Sequence, residues 1–317
     1  MYAKITGTGS YLPDHLMDNF ELSEMVDTSD EWIQSRTGIK ARHIAEQDTV
    51  VSMAVSAAKE AIRNAGIEPA GIDLVIVSSV SAEQILPCAA CEVQAAIGAD
   101  NAAAFDLNAA CTGFISAYQV AAAQMKAGLI RTALVIGSEC LSNLIDWTDR
   151  GTCILFGDGA GAAVITCQDS NIEVPFVLHS DGAKGAALSC SSGFGAEKSP
   201  YGNHIFMDGR AIYKFAVKQI PQLIHEILEQ SGRSVEEIDL FLLHQANERI
   251  ITSIAKHLQQ DISKFPMNLQ ENGNISSASI PVLLDDLNRQ GKLKPGMKLI
   301  VAGFGAGLTW GGMYLEW

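Results

Sequence analysis

The chain has 317 residues, of which 48% are hydrophobic and 18% charged, a balance typical of a compact globular protein. Its formal net charge of −14 argues against nucleic acid as a partner, because phosphate binding requires a basic surface. No apolar run approaches the roughly 18 residues of a membrane span, and the start, MYAKITGTGSYLP, lacks the pattern of a signal peptide. We therefore expect a cytoplasmic protein with no membrane partner, whose seven cysteines are thiols.

Helical patterns alternate with short β-branched runs along the chain, which predicts an α/β protein. The predicted strands span residues 74–80, 133–137, 162–166, 240–244 and 299–303. The predicted helices span residues 50–65, 111–127, 210–230 and 246–258. Two basic stripes follow from helical spacing, Arg210, Lys214 and Lys218 on one helix and Arg249 with Lys256 on another. Either stripe is an acidic partner's docking site or an ordinary solvated face.

Two short motifs have a formal match to ligand sites that their context does not support. GDGAGAA at 157–163 fits a dinucleotide-binding glycine pattern, but a strand and not a helix is predicted after it. CAAC at 88–91 has the spacing of a redox site or half of a zinc site. It starts an apolar helical pattern, without a second pair or a histidine cluster, so we predict core packing and no metal site.

The second half of the chain repeats a pattern of the first half. The segment NAGIEPAGIDLVIV, which begins at Asn64, recurs from Gln230 as QSGRSVEEIDLFLL, with a glycine after a helix and an Ile-Asp pair before a strand. Farther on, Asn274 precedes Gly291 by as many positions as Cys111 precedes Gly128. We predict a duplicated βαβ-type architecture in which Cys111 and Asn274 occupy equivalent helix starts that face each other at the centre.

The predicted repeat brings together three residues that could take part in a reaction, Cys111, His244 and Asn274. A helix N-terminus favours the thiolate, so we expect a lowered pKa for Cys111. His244 ends a predicted strand, at the carboxyl end where sites of α/β sheets gather. A neutral imidazole and an amide provide two uncharged donors for an enolate, whereas a protease-like set would need Asn274 to orient His244. The alternatives are a core cysteine, a core histidine and a turn asparagine.

The segments that contain these residues resemble one family. DLNAACTGF, FGDGAGAA, LLHQAN, GNISSAS and FGAGLTWG are similar to the signature segments of β-ketoacyl-[acyl-carrier-protein] synthase III, and the likeness runs from residue 6 to the end of the chain. Elongating synthases resemble the chain less, because they use a second histidine in place of the asparagine. Thiolases place a second cysteine near the C-terminus, whereas the last cysteine here is Cys190.

The resemblance implies a thiolase-like, five-layered α-β-α-β-α fold of two halves, residues 1–170 and 171–317, in a homodimer. Cys111 would take an acyl group from acyl-CoA. Malonyl-acyl-carrier protein would then lose carbon dioxide, and His244 and Asn274 would stabilise its enolate. The backbone N–H groups of Cys111 and Ala306 would hold the thioester oxygen as an oxyanion hole. This reaction starts type II fatty-acid synthesis and needs no cofactor.

The resemblance also implies binding residues for both substrates. Those implied for CoA are Trp32, Arg36, Arg150 and Asn247. Those implied for carrier-protein docking are Gln245, Ala246, Asn247, Glu248, Arg249 and Lys214.

Three places depart from the family pattern or cannot be read from it. Ala306 stands where a glycine is common. Leu86 stands where an aromatic residue often lines the acyl pocket across the dimer, so a smaller side chain there would admit a longer or branched primer. The segment 190–206 is expected to be a loop that covers the pocket.

Two other functions are alternatives to the synthase function that the resemblance implies. One is a starter-unit acyltransferase or condensing enzyme of the same fold, serving polyketide or signal-molecule synthesis. The other is a cysteine hydrolase that releases the acyl group to water. The intact histidine–asparagine pair favours decarboxylative condensation over the first, whereas rapid loss of the acyl group without a malonyl acceptor would support the second.

Overall fold

A computed structural model of the chain describes residues 2–169, 174–192 and 202–317. The strands are β1 Tyr2–Tyr11, β2 His15–Asp18, β3 Ala41–Ile44, β4 Leu74–Ser78, β5 Ala103–Leu107, β6 Thr132–Cys140, β7 Asp158–Gln168, β8 Phe176–Ser180, β9 Leu188–Ser189, β10 Phe206–Met207, β11 Leu240–Leu243, β12 Lys298–Gly305 and β13 Thr309–Glu316. The helices are α1 Asn19–Ser23, α2 Asp30–Thr37, α3 Val50–Ala65, α4 Ala89–Ile97, α5 Gly113–Lys126, α6 Gly209–Ser231, α7 Glu248–His257, α8 Leu269–Asn272 and α9 Ser279–Arg289.

Two mixed sheets form the framework, and each is built from one half of the chain. The first has the strand order β1-β7-β6-β4-β5, and the second has the order β11-β12-β13-β8. In both, a parallel pair (β4 with β6, β11 with β12) is extended by an antiparallel strand (β7, β13). The boundary predicted between residues 170 and 171 lies just outside the described residues and stays a prediction.

Helices fill the space between the sheets and cover both outer faces. The central helices α5 and α9 contact strands of both sheets, while α3 packs on the first sheet and α6 on the second. The buried apolar residues form separate clusters in the central layer and beneath each outer layer. The layers therefore run α-β-α-β-α, and the predicted fold class is confirmed. None of the described helices is long and apolar enough to cross a membrane.

Local capping explains why one helix prediction matches the structure at both ends. The predicted helix 50–65 coincides with α3, whose first turn is closed by a reciprocal hydrogen-bonding box between Thr49 and Ser52. Its end is set by Gly66 in the left-handed conformation (φ +66°). The same C-terminal signal, Gly232 at φ +64°, ends α6. The two helices are equivalent members of the repeat.

The register of the repeat differs from the prediction downstream of these helices. A 3₁₀ turn starts at Ala110 before α5 and at Ser276 before α9, and both residues have positive φ, +46° and +45°. Their separation along the chain equals that of Asn64 and Gln230, where the two matching segments begin. Cys111 is therefore equivalent to Ser277, and the predicted equivalence of Cys111 with Asn274 is wrong.

The error has a simple cause in helix length. Helix α5 has 14 residues and α9 has 11, so the glycine that follows α9 comes one turn early. The equal spacings from Cys111 and from Asn274 to their glycines are a coincidence of this shortening.

The structure also shows where the cysteines and the two short motifs lie. All seven cysteines carry free thiols, as predicted. The core packing predicted for CAAC is wrong for its cysteines, since Cys91 is exposed and Cys88 is half-buried, while the two alanines between them fill the core. Residues 158–163 of GDGAGAA form the beginning of strand β7, so the helix that a dinucleotide-binding glycine pattern would have to open does not follow the motif. Among the described residues, no group of three or more His, Cys, Asp or Glu side chains could hold a metal ion.

The central helix α9 approaches β7 so closely that only glycine fits at Gly161. A methyl group added there would lie 2.6 Å from the backbone nitrogen of Val282 and 2.8 Å from the backbone carbonyl carbon of Pro281. The two elements would have to separate to accept any side chain.

We predict that Gly161→Ala lowers the free energy of unfolding by about 1–3 kcal/mol because it overpacks this contact. Urea unfolding measures the change. Gly71→Ala is the matched control, since an added methyl group meets nothing within 4 Å at that glycine. Equal stabilities of the two variants would contradict the close-packing argument.

Candidate active site

One cavity of about 520 Å³ brings together the three residues singled out from the sequence. Cys111 reaches it from the 3₁₀ turn before α5, His244 from the end of β11, and Asn274 from the segment just before the turn at Ser276. The cavity therefore opens at the carboxyl ends of strands in both halves, as the repeat predicts.

Cys111 is buried at the base of the cavity with 7% of its surface exposed. Its Sγ atom lies 3.6 Å from Ser276 Oγ, so the turns of the two halves meet at the thiol. Gly305 is the other close neighbour, because a methyl group added there would come within 2.9 Å of Cys111 N. The backbone of β12 thus approaches the N–H group of Cys111 as closely as glycine allows.

The pKa of Cys111 does not follow the expectation from the helix dipole alone. The pKa of the thiol is raised to about 12, chiefly by burial; the hydrogen bond to Ser276 opposes this rise, and the negative charge of Glu139 adds to it. The lowered pKa predicted from the helix start is therefore wrong, because desolvation outweighs the dipole. Desolvation depends on the surrounding fold and could not be seen in the sequence.

His244 is held neutral by its surroundings. Burial lowers the pKa of its imidazole to about 3. Its backbone N–H donates to Ala302 O, and the ring sits edge-on to Phe304 at 5.6 Å. Within the described part of the chain, Nδ1 is buried and has no hydrogen-bond partner. The ring can therefore serve a ligand as an uncharged hydrogen-bonding group.

The Asn274 amide is oriented by its own turn. Its Oδ1 atom accepts a hydrogen bond of 2.8 Å from Ser276 N, and its backbone N–H donates to Leu155 O. Because the hydrogen bond from Ser276 N fixes the direction of the amide oxygen, Nδ2 is the group with which Asn274 can donate to a ligand. The oxygen that a protease-like set would use to hold a histidine is taken by Ser276 instead.

The two residues predicted to form the oxyanion hole, Cys111 and Ala306, differ in their position relative to the cavity. Cys111 and Gly305 line the cavity, whereas Ala306 follows directly after β12 and its carbonyl accepts from Thr309 Oγ1 at 3.1 Å. The N–H group of Ala306 in this role stays a prediction.

The mouth of the cavity carries a cluster of arginines around Trp32. The guanidinium carbon of Arg150 lies 4.8 Å from the centroid of the Trp32 ring, and that of Arg36 lies 5.7 Å from it. Trp32, Arg36 and Asn247 line the cavity. Asn247 also has a structural part, because its Oδ1 caps α7 and its Nδ2 donates to Arg36 O. The residues predicted for CoA thus lie together.

The predicted docking residues separate into exposed and buried groups. Gln245 is 1% exposed; its Nε2 donates to Leu243 O and its Oε1 accepts from Asn268 N, so its predicted docking contact is wrong. It follows directly on a buried strand, which draws it into the core. Arg249 is exposed and lines the cavity, and Lys214 is exposed on α6.

The remaining predicted docking residues lie beside the cavity mouth. Ala246 is half-buried and lines the cavity. Glu248 is half-buried in the first turn of α7, with its side chain against Gly38. Arg210 and Lys218 are exposed, and with Lys214 they give α6 its basic stripe.

Leu86 does not line the cavity, and the predicted covering loop is described only at its two ends. Leu86 is 82% exposed in the single chain, next to the equally prominent Ile85. Of the segment 190–206, residues 193–201 lie outside the described residues. The short strands β9 and β10 lie at the two ends of this segment and pair with each other, and Leu188 and Met207 of that pair line the cavity.

Two residues near the thiol were missed by the sequence analysis. Ser276 contacts the thiol, and Glu139 is buried at the end of β6. Ser276 stood in the motif GNISSAS without a separate role. Glu139 could have been noticed as a lone charge at the end of an apolar run.

Comparisons with known proteins agree with this geometry. Residues 105–182 match the family model of 3-oxoacyl-[acyl-carrier-protein] synthase III, and residues 228–317 match the model of its C-terminal part. A β-ketoacyl-[acyl-carrier-protein] synthase III of Clostridium acetobutylicum is 48% identical, over 99% of this chain and 98% of the relative.

Solved structures show the same likeness over the full length. The 3-oxoacyl-[acyl-carrier-protein] synthase III of Aquifex aeolicus is 41% identical, with a TM-score of 0.95 and complete coverage of both chains. The priming β-ketosynthase of the R1128 polyketide pathway is 37% identical, with a TM-score of 0.95, over 99% of this chain and 96% of its own. From the cavity, the fold and these relatives together, the chain belongs to the β-ketoacyl-[acyl-carrier-protein] synthase III family.

Proposed function

We propose that the chain condenses an acyl-CoA primer with malonyl-acyl-carrier protein, with loss of carbon dioxide, as the initiating step of fatty-acid biosynthesis. The observation that carries the proposal is a single cavity that holds a thiol, a neutral imidazole and an amide whose oxygen is already engaged. A nucleophile and two uncharged hydrogen-bonding groups suit acyl transfer followed by enolate formation.

In the first half-reaction Cys111 takes the acyl group. Its sulfur attacks the thioester carbonyl, and the backbone N–H groups of Cys111 and Ala306 stabilise the oxyanion. The acyl–sulfur bond to CoA then breaks, and CoA leaves through the cavity mouth. The acyl group stays on Cys111 as a covalent intermediate.

In the second half-reaction His244 and Asn274 stabilise the enolate of the malonyl thioester. Carbon dioxide leaves, and negative charge develops on the thioester oxygen. A neutral imidazole and an amide donate to that oxygen without a charge that would have to be buried first. The carbanion attacks the acyl thioester on Cys111 and frees 3-oxoacyl-carrier protein. The reaction proposed here uses no cofactor.

CoA binding is proposed at the arginine cluster of the mouth. The Trp32 ring offers a face for adenine, while Arg36 and Arg150 offer positive charge for phosphate groups. Asn247 lines the same opening. Carrier-protein docking is proposed at Arg249 and at the basic stripe of α6, since these charges are exposed on a chain that is acidic overall.

A homodimer in the cytoplasm is also part of the proposal. Strand β5 is an edge strand of the first sheet whose residues are exposed or half-buried, and unpaired edges invite pairing with another chain. The exposed Leu86 would then extend into the acyl pocket of the partner. A cysteine hydrolase is the weaker candidate because Asn274 does not hold His244.

Variants of the three site residues should separate the two half-reactions. We expect Cys111→Ala to leave no acyl adduct. We expect His244→Ala and Asn274→Ala to form the adduct but to lower condensation by about a hundredfold or more, because each removes a donor to the enolate. Intact mass spectrometry before and after addition of malonyl-acyl-carrier protein measures both steps. Normal condensation by Asn274→Ala would refute the enolate role.

Substitution of the mouth tryptophan should affect only substrates that carry adenine. We expect Trp32→Ala to raise KM for acyl-CoA about tenfold through lost stacking. An acyl thioester of N-acetylcysteamine, which has no adenine, is the control and should react at the same rate with both proteins. If both substrates lost activity equally, Trp32 would have a structural part and not a binding one.

The size of Leu86 should set the range of primers. We expect the chain to form adducts with longer or branched acyl-CoAs, and Leu86→Phe to restrict the adducts to short ones. Adduct yields across a chain-length series measure this, with Ile85→Phe as the neighbouring control. A strict acetyl-CoA preference of the unaltered chain would rule the hypothesis out.

A further inference from the structure

Glu139 is a fully buried acid that has no part in the reaction proposed above. It belongs to β6, and its exposed fraction is 0%. Its partners in the described part of the chain are all neutral groups, and burial raises its pKa. Burying an acidic group without an opposite charge beside it costs free energy, so a buried acid near a reactive thiol suggests a chemical role.

The carboxyl group joins two segments that meet below the cavity. Its Oε2 atom accepts from Ser81 Oγ at 2.6 Å, from Val80 N at 3.0 Å and from Ser79 Oγ at 3.2 Å. Its Oε1 atom accepts from Ser277 Oγ at 2.7 Å. These donors favour the carboxylate and partly offset the effect of burial.

Ser276 connects this carboxyl group with the thiol. Its hydroxyl lies 3.6 Å from Cys111 Sγ, in the direction that lets the thiol donate. The Ser276 hydroxyl also lowers the pKa of the Glu139 carboxyl group, and the next residue, Ser277, donates to Oε1 of that group at 2.7 Å. The backbone of Ser276 is held at φ +45°, a conformation that non-glycine residues rarely adopt, so the fold itself fixes the hydroxyl here.

The other titratable groups around this chain of contacts do not compete for the proton. Burial keeps His244, on the far side of Cys111, neutral at ordinary pH by lowering its pKa. Cys140, next to Glu139 in β6, has its pKa raised by burial. The segment 78–81 and the turn at Ser276 present only serines and backbone groups to the carboxyl.

Two acidic groups in one dry space cannot both be charged without a large cost. The charge of Glu139 raises the pKa of Cys111, so the pair carries a single negative charge over a wide pH range. We propose that Cys111 and Glu139 share one proton through the Ser276 hydroxyl, with Glu139 as a positioning residue that receives the thiol proton as the sulfur attacks. The inference rests on the proposed function, in which Cys111 is the nucleophile.

The S–H bond of Cys111 breaks towards Ser276 Oγ, the O–H bond of Ser276 breaks towards the Glu139 carboxylate, and the electron pair stays on sulfur. The sulfur–acyl bond forms while the acyl bond to CoA breaks, and CoA leaves as a thiolate that water protonates. Glu139, now neutral, later returns its proton to water. One negative charge is buried at the start of the attack and none is added.

The alkylation rate of Cys111 with iodoacetamide as a function of pH tests this sharing. In the unaltered chain we expect the rate to rise about tenfold per pH unit and then to level off above the pKa of Glu139, since ionised Glu139 opposes a second charge. In Glu139→Gln we expect the alkylation rate to keep rising with pH. One pH unit above the pH at which the rate of the unaltered chain levels off, the variant should therefore react about tenfold faster. Peptide mapping assigns the adduct to Cys111.

Three further variants make the test specific. Glu139→Asp keeps an ionisable group and should keep the levelling, even if the protein is less stable. Ser276→Ala should lower the alkylation rate on the plateau about tenfold, because the hydrogen bond from the serine hydroxyl to the developing thiolate is lost. Ser81→Ala removes a donor to Oε2 of Glu139 that has no contact with the thiol, and it should keep the levelling.

Two results would overturn the inference. One is a rate in the unaltered chain that rises without levelling up to the thiol pKa, a measurement that needs no variant to fold. The other is a pH profile of Glu139→Gln, or a level rate of Ser276→Ala, that matches the unaltered chain. Acylation by acyl-CoA on the same samples keeps the two proposals apart, because absence of an acyl adduct together with the expected alkylation profile would refute the proposed function alone.

Discussion

The structure depends on the contact between two helix-starting turns, one from each half. The turn with Cys111 lies against β12 of the second half, where Gly303 and Gly305 leave room for its backbone. The turn with Ser277 lies against β6 of the first half, where Gly137 leaves room in the same way. Each turn is therefore seated on the strand of the other half. The central helices, the cavity and the position of the thiol all follow from this exchange.

The duplicated framework carries its reactive groups on one side only. When the halves are aligned so that Gln230 matches Asn64, the position of Cys111 is taken by Ser277 in the second half, and that of His244 by Ser78 in the first. Cys111 and His244 line the cavity. Their counterparts, Ser277 and Ser78, lie in the buried hydrogen-bond network around Glu139. The symmetry of the fold supplies two equivalent locations. The side chains of one form the proposed reaction site, and those of the other lie around the buried Glu139.

The sequence predicted what depends on local signals and on order along the chain. The caps of α3, the repeat and the meeting of Cys111, His244 and Asn274 all follow from such signals. The errors arise where three-dimensional surroundings decide. The thiol pKa depends on burial, the solvent contact of Gln245 depends on a neighbouring strand, and the equivalent of Cys111 depends on a helix one turn shorter. Glu139 and Ser276 were missed because their partners are distant in sequence.

The seating of the Cys111 turn on β12 has a consequence for the growing chain on the ribosome. Strand β12 is translated long after Cys111, and contacts over so long a separation form late in folding. Until then the thiol has neither the close backbone of Gly305 nor the hydroxyl of Ser276 beside it. A nascent or truncated chain would thus carry an ordinary cysteine, and the ability to capture an acyl group would arise only once both halves have been synthesised and docked.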